Sequence, residues 1–475
     1  MRLKNNNAQE KLNRPTSLFL VCTENVVSWL SVFEFKSKKI NCCYASIIVC
    51  VAFFNLSLAQ TTAFSKLCAG FVKTYDKLNI PVTSLDYKTN FSNIKPNEQL
   101  QKQLAFFKNC SSQLDEINIK TLSNNDKWRY NQLKYEIALN IERISLEQKW
   151  NNGGRIVPEN GLYQLTHHKE WYSYYVKYFT SVNITPEKVF EMGESEVKKI
   201  QKEIKKIQLN LGYNDEHFYN YLQSDTFYFK EKEQILAAYS VIDKTARKNI
   251  NKLFPLYTIP EITVMDFPNS TANTPPGIYL GKESNSLGKP VFQFNFYGHL
   301  HNKRSMDWLY MHEAIPGHHL QVVAKNNNNE LSKLKNKFFY FGNAEGWACY
   351  VEDFGKEIGL YQNDYTYLGK WQWDLVRSAR LVMEVGIHYY GWDKEKAMNY
   401  WKDNIKGQDE IANREITRIT NWAGQALCYK VGALTIKKII DEKIKQGNSI
   451  VEAHQFLLSH SDFPLEVLLY NIQNF

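Results

Sequence analysis

The 475-residue chain has little glycine and proline, with 22 and 13 residues respectively. Folds made of many short strands need frequent turns, so this scarcity favours helices over a turn-rich β fold. The sequence also lacks internal repeats and long low-complexity linkers. A hydrophobic fraction of 44% beside a charged fraction of 23% excludes a disordered tail protein and a multi-span membrane protein.

A concentrated basic stripe is lacking too, although the formal net charge is +9. The first 59 residues hold seven basic and three acidic residues, which leaves 51 basic and 46 acidic residues in the remainder. There lysine and glutamate are interleaved along apparent helices, as in residues 194–206, which is typical of solvated helix faces. Because nucleic-acid binding needs a concentrated basic surface, we expect no nucleic-acid partner.

Residues 1–59 are predicted to be an N-terminal extension that ends in a secretory signal. A basic stretch at 36–39 precedes an apolar stretch at about 42–56, and Ser57-Leu-Ala forms a small-x-small cleavage site. This pattern predicts an exported protein, either periplasmic, secreted or associated with the outer surface. The alternative is an uncleaved anchor, since residues 40–59 are just long enough to span a bilayer. We interpret the 35 residues before the signal as a start codon assigned too early.

Only four cysteines lie outside this segment: Cys68, Cys110, Cys349 and Cys428. They form no Cys-x-x-Cys pair, which disfavours a thiolate zinc knuckle. Cys68 and Cys110 either form a disulfide in an oxidising compartment or stay two buried thiols. Cys349 and Cys428 are interpreted as packing residues.

Residues 60–475 are predicted to form one mainly α domain with a small β-sheet insertion. Apolar residues recur every three or four positions in segments such as 133–146. Segments 277–280 and 289–296 alternate between apolar and polar residues and predict two short strands. After residue 304 the pattern is helical again.

Three histidines and a glutamate lie within eight residues, in the run His-Glu-Ala-Ile-Pro-Gly-His-His that begins at His312. A His-Glu pair on a helix starts the zinc-peptidase signature, in which His312 binds the ion and Glu313 activates its water. That signature has its second histidine at i+4, but here i+4 is Pro316, which kinks or ends the helix. An unbroken helix would favour His319 as the second ligand, whereas the break leaves His318 or His319 open. The alternative is a helix end with buried, hydrogen-bonded histidines.

The following helix offers a third ligand. Glu345 and Glu352 are seven residues apart and therefore share one helix face. An acid on the inward side of an apolar helix is costly unless it is paired or bound to a metal. We predict Glu345 as a ligand and Glu352 as the acceptor for an imidazole N–H. The alternative is that both carboxylates face water.

Two later helices carry polar stripes, which we interpret as walls of one polar cleft. The stripes consist of Arg377, Arg380, Glu384 and His388, and of Glu415, Arg418, Gln425 and Tyr429. Either stripe alone is more typical of a structural ion-pair network. Beside a metal helix, the groups predicted to hold a substrate carboxylate or an oxyanion are Arg380, His388, Arg418 and Tyr429. Tyr279 and Asn295 are predicted to form another wall, along which an extended peptide would lie.

Four motifs, in chain order, resemble those of the bacterial domain-of-unknown-function family 885. They are His-Glu-Ala-Ile-Pro-Gly-His-His-Leu-Gln from residue 312, Glu-Gly-Trp-Ala-x-Tyr from 345, Arg-Leu-Val-x-Glu-x-Gly-Ile-His from 380, and Gly-Gln-Ala-x-x-Tyr-x-x-Gly from 424. The resemblance runs from about residue 152 to the C-terminus, and more loosely from about residue 64. Two departures from the family pattern are Glu384, where the family usually has Asp, and Ala423, where it usually has Pro.

The resemblance implies a mostly helical, zincin-like fold related to metallopeptidases of the thimet-oligopeptidase type. It also implies export, because many relatives are exported or anchored as lipoproteins. The ligands it implies for Zn²⁺ are His312, His318 and Glu345, which favours His318 over His319. It implies Glu313 as the catalytic base.

The residues and the resemblance together predict an exported zinc-dependent metallopeptidase that acts on a peptide or a small amide. Glu313 takes a proton from the attacking water and passes it to the leaving amine, while Tyr429 or His388 stabilises the oxyanion. Membrane contact is expected only if residues 40–59 are retained. The alternatives are a metal-dependent hydrolase of another amide or ester, a catalytically inactive exported binding protein, and a membrane-anchored structural protein.

Overall fold

The computed structural model describes residues 61–297, 301–328 and 330–474. The predicted extension and signal, residues 1–59, lie outside the described residues. Helix accounts for 66% of the structure and strand for 4%, which confirms the prediction of a mainly α fold with a small sheet. Among the described helices, none is both long enough and apolar enough to cross a membrane.

Seven helices precede the first strand in the described part of the chain. They are α1 at 61–75, α2 at Tyr87–Ser92, α3 at Asn97–Asp115, α4 at Asn124–Asn152, α5 at His168–Thr180, α6 at Pro186–Asn210 and α7 at Asp215–Leu222. The start of α6 agrees with its sequence, because Thr185 Oγ1 accepts a hydrogen bond from Lys188 N and Pro186 occupies the first helical position.

The middle of the chain contains one helix and five short strands. They are β1 at Tyr228–Phe229, α8 at Lys232–Asn249, β2 at Thr263–Asp266, β3 at Gly277–Leu280, β4 at Val291–Phe294 and β5 at His301–Asn302. In the three-stranded sheet, β4 lies between β2, to which it is parallel, and β3, to which it is antiparallel. The two predicted strands correspond to β3 and β4. The sequence did not predict β2.

The rest of the described chain is helical. It contains α9 at Met306–Glu313, α10 at His318–Asn327, α11 at Phe341–Val351, α12 at Asp364–His388, α13 at Lys394–Asn404, α14 at Ala412–Asn421, α15 at Leu427–Lys445, α16 at Ile450–Ser459 and α17 at Leu465–Asn474. Helix α16 has an ordinary start signal, because Ser449 and Glu452 form a reciprocal capping box there.

Helix α9 is buried on every side, since all eight of its residues are shielded from solvent. Its apolar side chains join the largest hydrophobic core, which also includes Phe292 of β4 and Trp347 of α11. The polar side chains of such a helix need partners inside the protein. Asp307 meets this need by accepting a hydrogen bond from the backbone N–H of Tyr361 at 2.8 Å. The other two, His312 and Glu313, lie at the C-terminal end of the helix.

All four described cysteines are free thiols. Cys68 and Cys110 are both buried in an apolar cluster that α1 shares with α3 and α4. Burial raises the pKa of Cys68 to about 12 and that of Cys110 to about 11. Of the two predicted alternatives for this pair, the structure has the buried thiols rather than a disulfide.

Helices α11 and α15 touch backbone to backbone through glycines. A Cβ atom added at Gly346 would lie 2.6 Å from the carbonyl carbon of Gly432, and one added at Gly432 would lie 2.3 Å from the carbonyl oxygen of Gly342. Neither contact leaves room for a larger residue. This close approach sets the distance between Glu345, beside Gly346, and Tyr429, one turn before Gly432.

We expect Gly346→Ala to lower the free energy of unfolding by about 1–3 kcal/mol, because the new methyl group meets backbone that has no way to retreat. Gly70→Ala is the matched control, since Gly70 is also helical and a Cβ there meets nothing within 4 Å. Urea denaturation of both variants measures the effect. Equal midpoints for Gly346→Ala and Gly70→Ala would show that the two helices are not held by this contact.

Candidate metal centre

Helix α9 ends at Glu313 and α10 begins at His318, so the helical path is broken over Ala314 to Gly317. Pro316 cannot continue a helix, because it lacks a backbone N–H and clashes with the preceding turn. At Gly317 a Cβ atom would lie 2.0 Å from the carbonyl oxygen of His312, so only glycine fits this return. Trp347 Nε1 donates a hydrogen bond to the carbonyl of Pro316 at 2.9 Å and so holds the segment between the two helices against α11.

Across this break His318 lies next to His312, with ring centroids 4.9 Å apart and ring planes at 85°. Glu345 Oε2 lies 3.4 Å from His312 Nε2 and 3.4 Å from His318 Nε2. Zinc ligands lie about 2.0–2.2 Å from the ion, so two ligand atoms of a tetrahedral site are about 3.4 Å apart. Both distances from Glu345 therefore fit a tetrahedral zinc site, and the three ligand atoms all lie within 4.8 Å of one another.

The state of Glu345 also fits a cation. Its Oε2 atom is shut off from solvent and has no hydrogen-bond partner, although a buried carboxylate oxygen without a partner is costly. Burial alone would raise the pKa of Glu345, but His312 and His318 hold it well below its usual range. The side chains of Glu345 and His318 are 19% and 17% exposed, against 6% for His312, so the site opens on the side of the first two.

The far side of the His312 ring is held by Glu352, at the end of α11. His312 Nδ1 donates to Glu352 Oε1 at 2.9 Å, and Arg377 Nη1 donates to Glu352 Oε2 at 2.7 Å. Burial opposes a proton on His312, but Cys349, Glu345 and Glu352 raise its pKa well above the usual value. With Nδ1 committed to Glu352, Nε2 is the ring nitrogen that faces Glu345.

A second group of potential ligands, formed by His312, Cys349 and Glu352, lies on this far side. Cys349 Sγ is 4.0 Å from His312 Nδ1. Arg377 already places its positive charge there, with Nη2 3.3 Å from the same ring nitrogen. Because a guanidinium repels a second cation, this group serves the orientation of His312 rather than a second ion. Arg377 was predicted only as a member of a polar stripe, and its contacts with Glu352 and His312 have no signal in the sequence.

His319 faces away from the cluster. Its Nδ1 is hydrogen-bonded to Tyr279 Oη at 3.1 Å and its Nε2 to the carbonyl of Pro260 at 2.9 Å, and the ring is fully buried. The geometry therefore favours His318 as the second ligand. The straight-helix argument for His319 fails because no continuous helix joins the residue to His312.

Glu313 is buried beside the cluster. Burial raises its pKa, and the neighbouring histidines together with the backbone N–H of Tyr279 on β3 counter this only in part. A carboxylate with a raised pKa is better suited than an ordinary one to take up and release a proton. The structure thus brings Glu313 next to the histidine pair and next to an edge strand of the sheet.

Tyr429 on α15 lies over His312, with ring centroids 6.3 Å apart and ring planes at 20°. Its hydroxyl oxygen accepts hydrogen bonds from Arg418 Nη2 at 3.0 Å and from Gln425 Nε2 at 3.3 Å. Burial and the charge of Glu345 raise the pKa of Tyr429 to about 12, so the phenol keeps its proton at neutral pH. With both contacts donated to its oxygen, the hydroxyl hydrogen is left for another acceptor.

Three residues that were predicted to bind substrate make other contacts instead. His388 accepts from Leu162 N at Nδ1 and donates to the carbonyl of Ile419 through Nε2, so it has no donor for an oxyanion. The side chain of Asn295 donates to the carbonyl of Thr274 in a loop, so it is not free for the wall that was predicted for it together with Tyr279. Arg380 forms a buried ion pair with Glu415 at 2.7 Å. None of these three side chains is therefore available to a substrate in the predicted way.

Residues 166–472 match the sequence model of the family described as "Bacterial protein of unknown function (DUF885)". The match spans more than half of the chain and includes every element of the metal centre. The chain belongs to this family, which confirms the resemblance seen in its motifs.

Two solved structures are similar to this chain. A "putative lipoprotein" from Colwellia psychrerythraea is 23% identical, with 82% of this chain and 71% of that chain covered and a TM-score of 0.61. A "putative lipoprotein of unknown function" from Shewanella oneidensis is 19% identical, with 79% and 73% covered and a TM-score of 0.47. The first likeness supports the fold. Among curated proteins, no match to this chain was found.

Glu384 is a buried carboxyl group near the cleft whose charge depends on pH. Its Oε1 accepts from Tyr172 Oη at 3.2 Å and from Gly424 N, while Oε2 is buried without a partner. Burial is the main cause that raises its pKa from 4.5 to about 8. The folded state therefore binds a proton that the unfolded state has released between these two pH values.

The free energy of unfolding is accordingly expected to fall as pH rises from about 4.5 to about 8. Over this range the folded state keeps the proton on Glu384 and the unfolded state does not, so removing protons from solution favours unfolding. Glu384→Gln keeps an acceptor for Gly424 without a titrating group, so it should lose less stability over this range. Thermal melts of parent and variant at pH 5 and pH 8 measure the difference. A parallel decline in both proteins would contradict the assignment.

Metal analysis tests the ligand set. After supplementation and dialysis we expect about one zinc per chain in the parent, loss of the metal in His318→Ala, and retention in His319→Ala. Melting curves of the apo-proteins control for folding, since His319 is fully buried. Loss of zinc from His319→Ala alone, with that variant folded, would reverse the choice between the two histidines.

Proposed function

We propose that this protein is a zinc-dependent metallopeptidase with a zincin-like catalytic centre. The observation that carries the proposal is the trio of His312 Nε2, His318 Nε2 and Glu345 Oε2 at zinc-site spacing, with the carboxylate of Glu313 beside it. Three protein ligands leave one position of a tetrahedral ion open, which is the arrangement of catalytic rather than structural zinc sites. A bound zinc ion would supply Lewis-acid activation of water and of the substrate carbonyl.

The residues of the chain supply the proton transfers. Glu313 would take the proton of the attacking water as its oxygen bonds to the carbonyl carbon. As the C–N bond breaks, Glu313 would return that proton to the leaving nitrogen. Burial favours this role, because it raises the pKa of Glu313 and keeps bulk water from competing for the proton.

Tyr429 would stabilise the oxyanion. Its hydroxyl hydrogen is not needed by Arg418 or Gln425, both of which donate to its oxygen. A donor fixed in this way costs no reorganisation when negative charge develops on the substrate oxygen. His388, the other predicted donor, is excluded by its two backbone contacts.

Strand β3 supports a peptide as the substrate. It is an edge strand of the three-stranded sheet, and the backbone N–H of Tyr279 points to Glu313 instead of to β4. An extended peptide laid along such an edge would present its backbone carbonyl groups to the metal centre. The hydrogen bond from Tyr279 Oη to His319 holds this strand against α10.

Export is part of the proposal. The segment at 36–59 has the order of a secretory signal, with a basic stretch, an apolar stretch and a small-x-small site. The two similar structures carry the name lipoprotein, which is compatible with an envelope location for this chain. N-terminal sequencing of the protein recovered from its host would show whether the chain begins at Gln60.

Glu313→Gln is expected to keep the zinc and to lower kcat by about 10²- to 10⁴-fold, because the amide takes up no proton. A peptide-library digest followed by mass spectrometry measures the activity, and Glu98→Gln is the control, since Glu98 is exposed on α3. Full activity of Glu313→Gln would sink the mechanism. Cleavage of esters or non-peptide amides without any peptide cleavage would reassign the substrate.

A further inference from the structure

The positive charge next to Tyr429 exceeds the negative charge available to balance it. Glu415 alone serves two arginines, with Arg380 at 2.7 Å and Arg414 at 3.1 Å. Within the described ranges Arg418 forms no direct ion pair with a carboxylate; the charge of Glu415 acts on it from beyond ion-pair distance, and its hydrogen bonds go to the neutral groups of Gln425 and Tyr429. Three arginines of this cluster therefore share the one carboxylate of Glu415.

Arg418 is half-buried, and its Nε atom is shut off from solvent without any hydrogen-bond partner. Keeping a guanidinium out of water costs free energy unless an anion or a set of acceptors compensates. Only Nη2 is used, by Gln425 Oε1 at 2.8 Å and by Tyr429 Oη at 3.0 Å. Such a group is suited to a carboxylate, which forms strong charge-assisted hydrogen bonds with arginine.

The location of Arg418 relates this charge to the metal centre. Tyr429 lies between them, with its ring 6.3 Å from the His312 ring and its hydroxyl in contact with Arg418. The guanidinium carbon of Arg418 lies 5.4 Å from the centre of the Tyr429 ring. A carboxylate bound at Arg418 would thus be separated from the metal centre by one tyrosine side chain, a distance that one or two extended residues of about 3.5 Å each can span.

We infer that Arg418 binds the free C-terminal carboxylate of the substrate, so that the enzyme removes one or two residues from the C-terminus of a peptide. The inference rests on the proposed peptidase function. In the reaction, water adds its oxygen to the carbonyl carbon near the C-terminus and a proton to the leaving nitrogen. The products are a shortened peptide with a new carboxylate and a released amino acid or dipeptide that keeps the original one.

The test compares matched peptides that differ only at the C-terminus, as the free acid or as the amide. We expect the parent to favour the acid by about 10- to 100-fold in kcat/KM, the range that a charged hydrogen bond contributes. Arg418→Gln should remove this preference, and Arg414→Gln, which takes the same charge from the same helix, should retain it. Peptides with an internal glutamate and an amidated end show whether a side-chain carboxylate replaces the terminal one.

The ratio of kcat/KM for the acid to kcat/KM for the amide separates carboxylate binding by Arg418 from the hydrogen bond that Arg418 donates to Tyr429. Loss of that support would lower hydrolysis of acid and amide alike, so an unchanged ratio in Arg418→Gln overturns the inference. Binding of both peptides to zinc-loaded Glu313→Gln, measured by calorimetry, gives the same comparison without turnover. If Arg418→Gln does not fold, equal cleavage of acid and amide by the parent overturns the inference by itself. Absence of all peptide cleavage overturns the proposed function instead.

Discussion

The candidate metal centre depends on the break in the helical path between His312 and His318. In a continuous helix His318 would lie on a different face from His312. Pro316 ends the helix, Gly317 allows the backbone to pass close to the carbonyl of His312, and Trp347 fixes the turn from the opposite side. The usual i+4 pair of a metal helix is thereby replaced by a pair on two helices. The candidate third ligand, Glu345, is only two residues from Trp347, which is hydrogen-bonded to this turn.

The two nitrogens of His312 face opposite charge environments. On the Nδ1 side, Glu352 is balanced by Arg377, so that side holds the ring without excess charge. On the Nε2 side, the ion pairs that Glu345 forms within the described part of the chain are with the two histidines alone. A cation is therefore favoured only at Nε2, where the site is also partly open to solvent. The same division explains why the second group of potential ligands, with Cys349, does not compete.

Much of this arrangement could be predicted from the sequence. Helix content, the two strands β3 and β4, and the cluster of His312, Glu313 and Glu345 follow from composition, periodicity and motif spacing. The sequence alone left His318 and His319 as alternatives, since a Pro-Gly break removes the helical register that would decide between them. The structure separates the two by giving His319 its own partners in Tyr279 and Pro260.

Other errors have a common physical cause. His388 lies on a polar stripe with Arg380, but a stripe shows only which way side chains point, and backbone groups of distant segments can satisfy them. Leu162 and Ile419 do so for His388 from positions 226 and 31 residues away along the chain. Asn295 was likewise assigned to a wall on strand alternation, although the strand ends one residue earlier, at Phe294. Long-range backbone partners of this kind leave no periodic signal in the sequence.

The glycine contact between α11 and α15 has a consequence for motion. Because Gly346 and Gly432 meet backbone to backbone, the carboxylate of Glu345 and the hydroxyl of Tyr429 belong to one rigid pair of helices. Helix α9, which carries His312 and Glu313, is joined to α11 by the hydrogen bonds of Trp347 with Pro316 and of Glu352 with His312. The candidate base, the candidate ligand Glu345 and the candidate donor Tyr429 therefore lie on helices that are held to one another. A change at any of these contacts would displace a whole helix of the candidate centre and not one side chain alone.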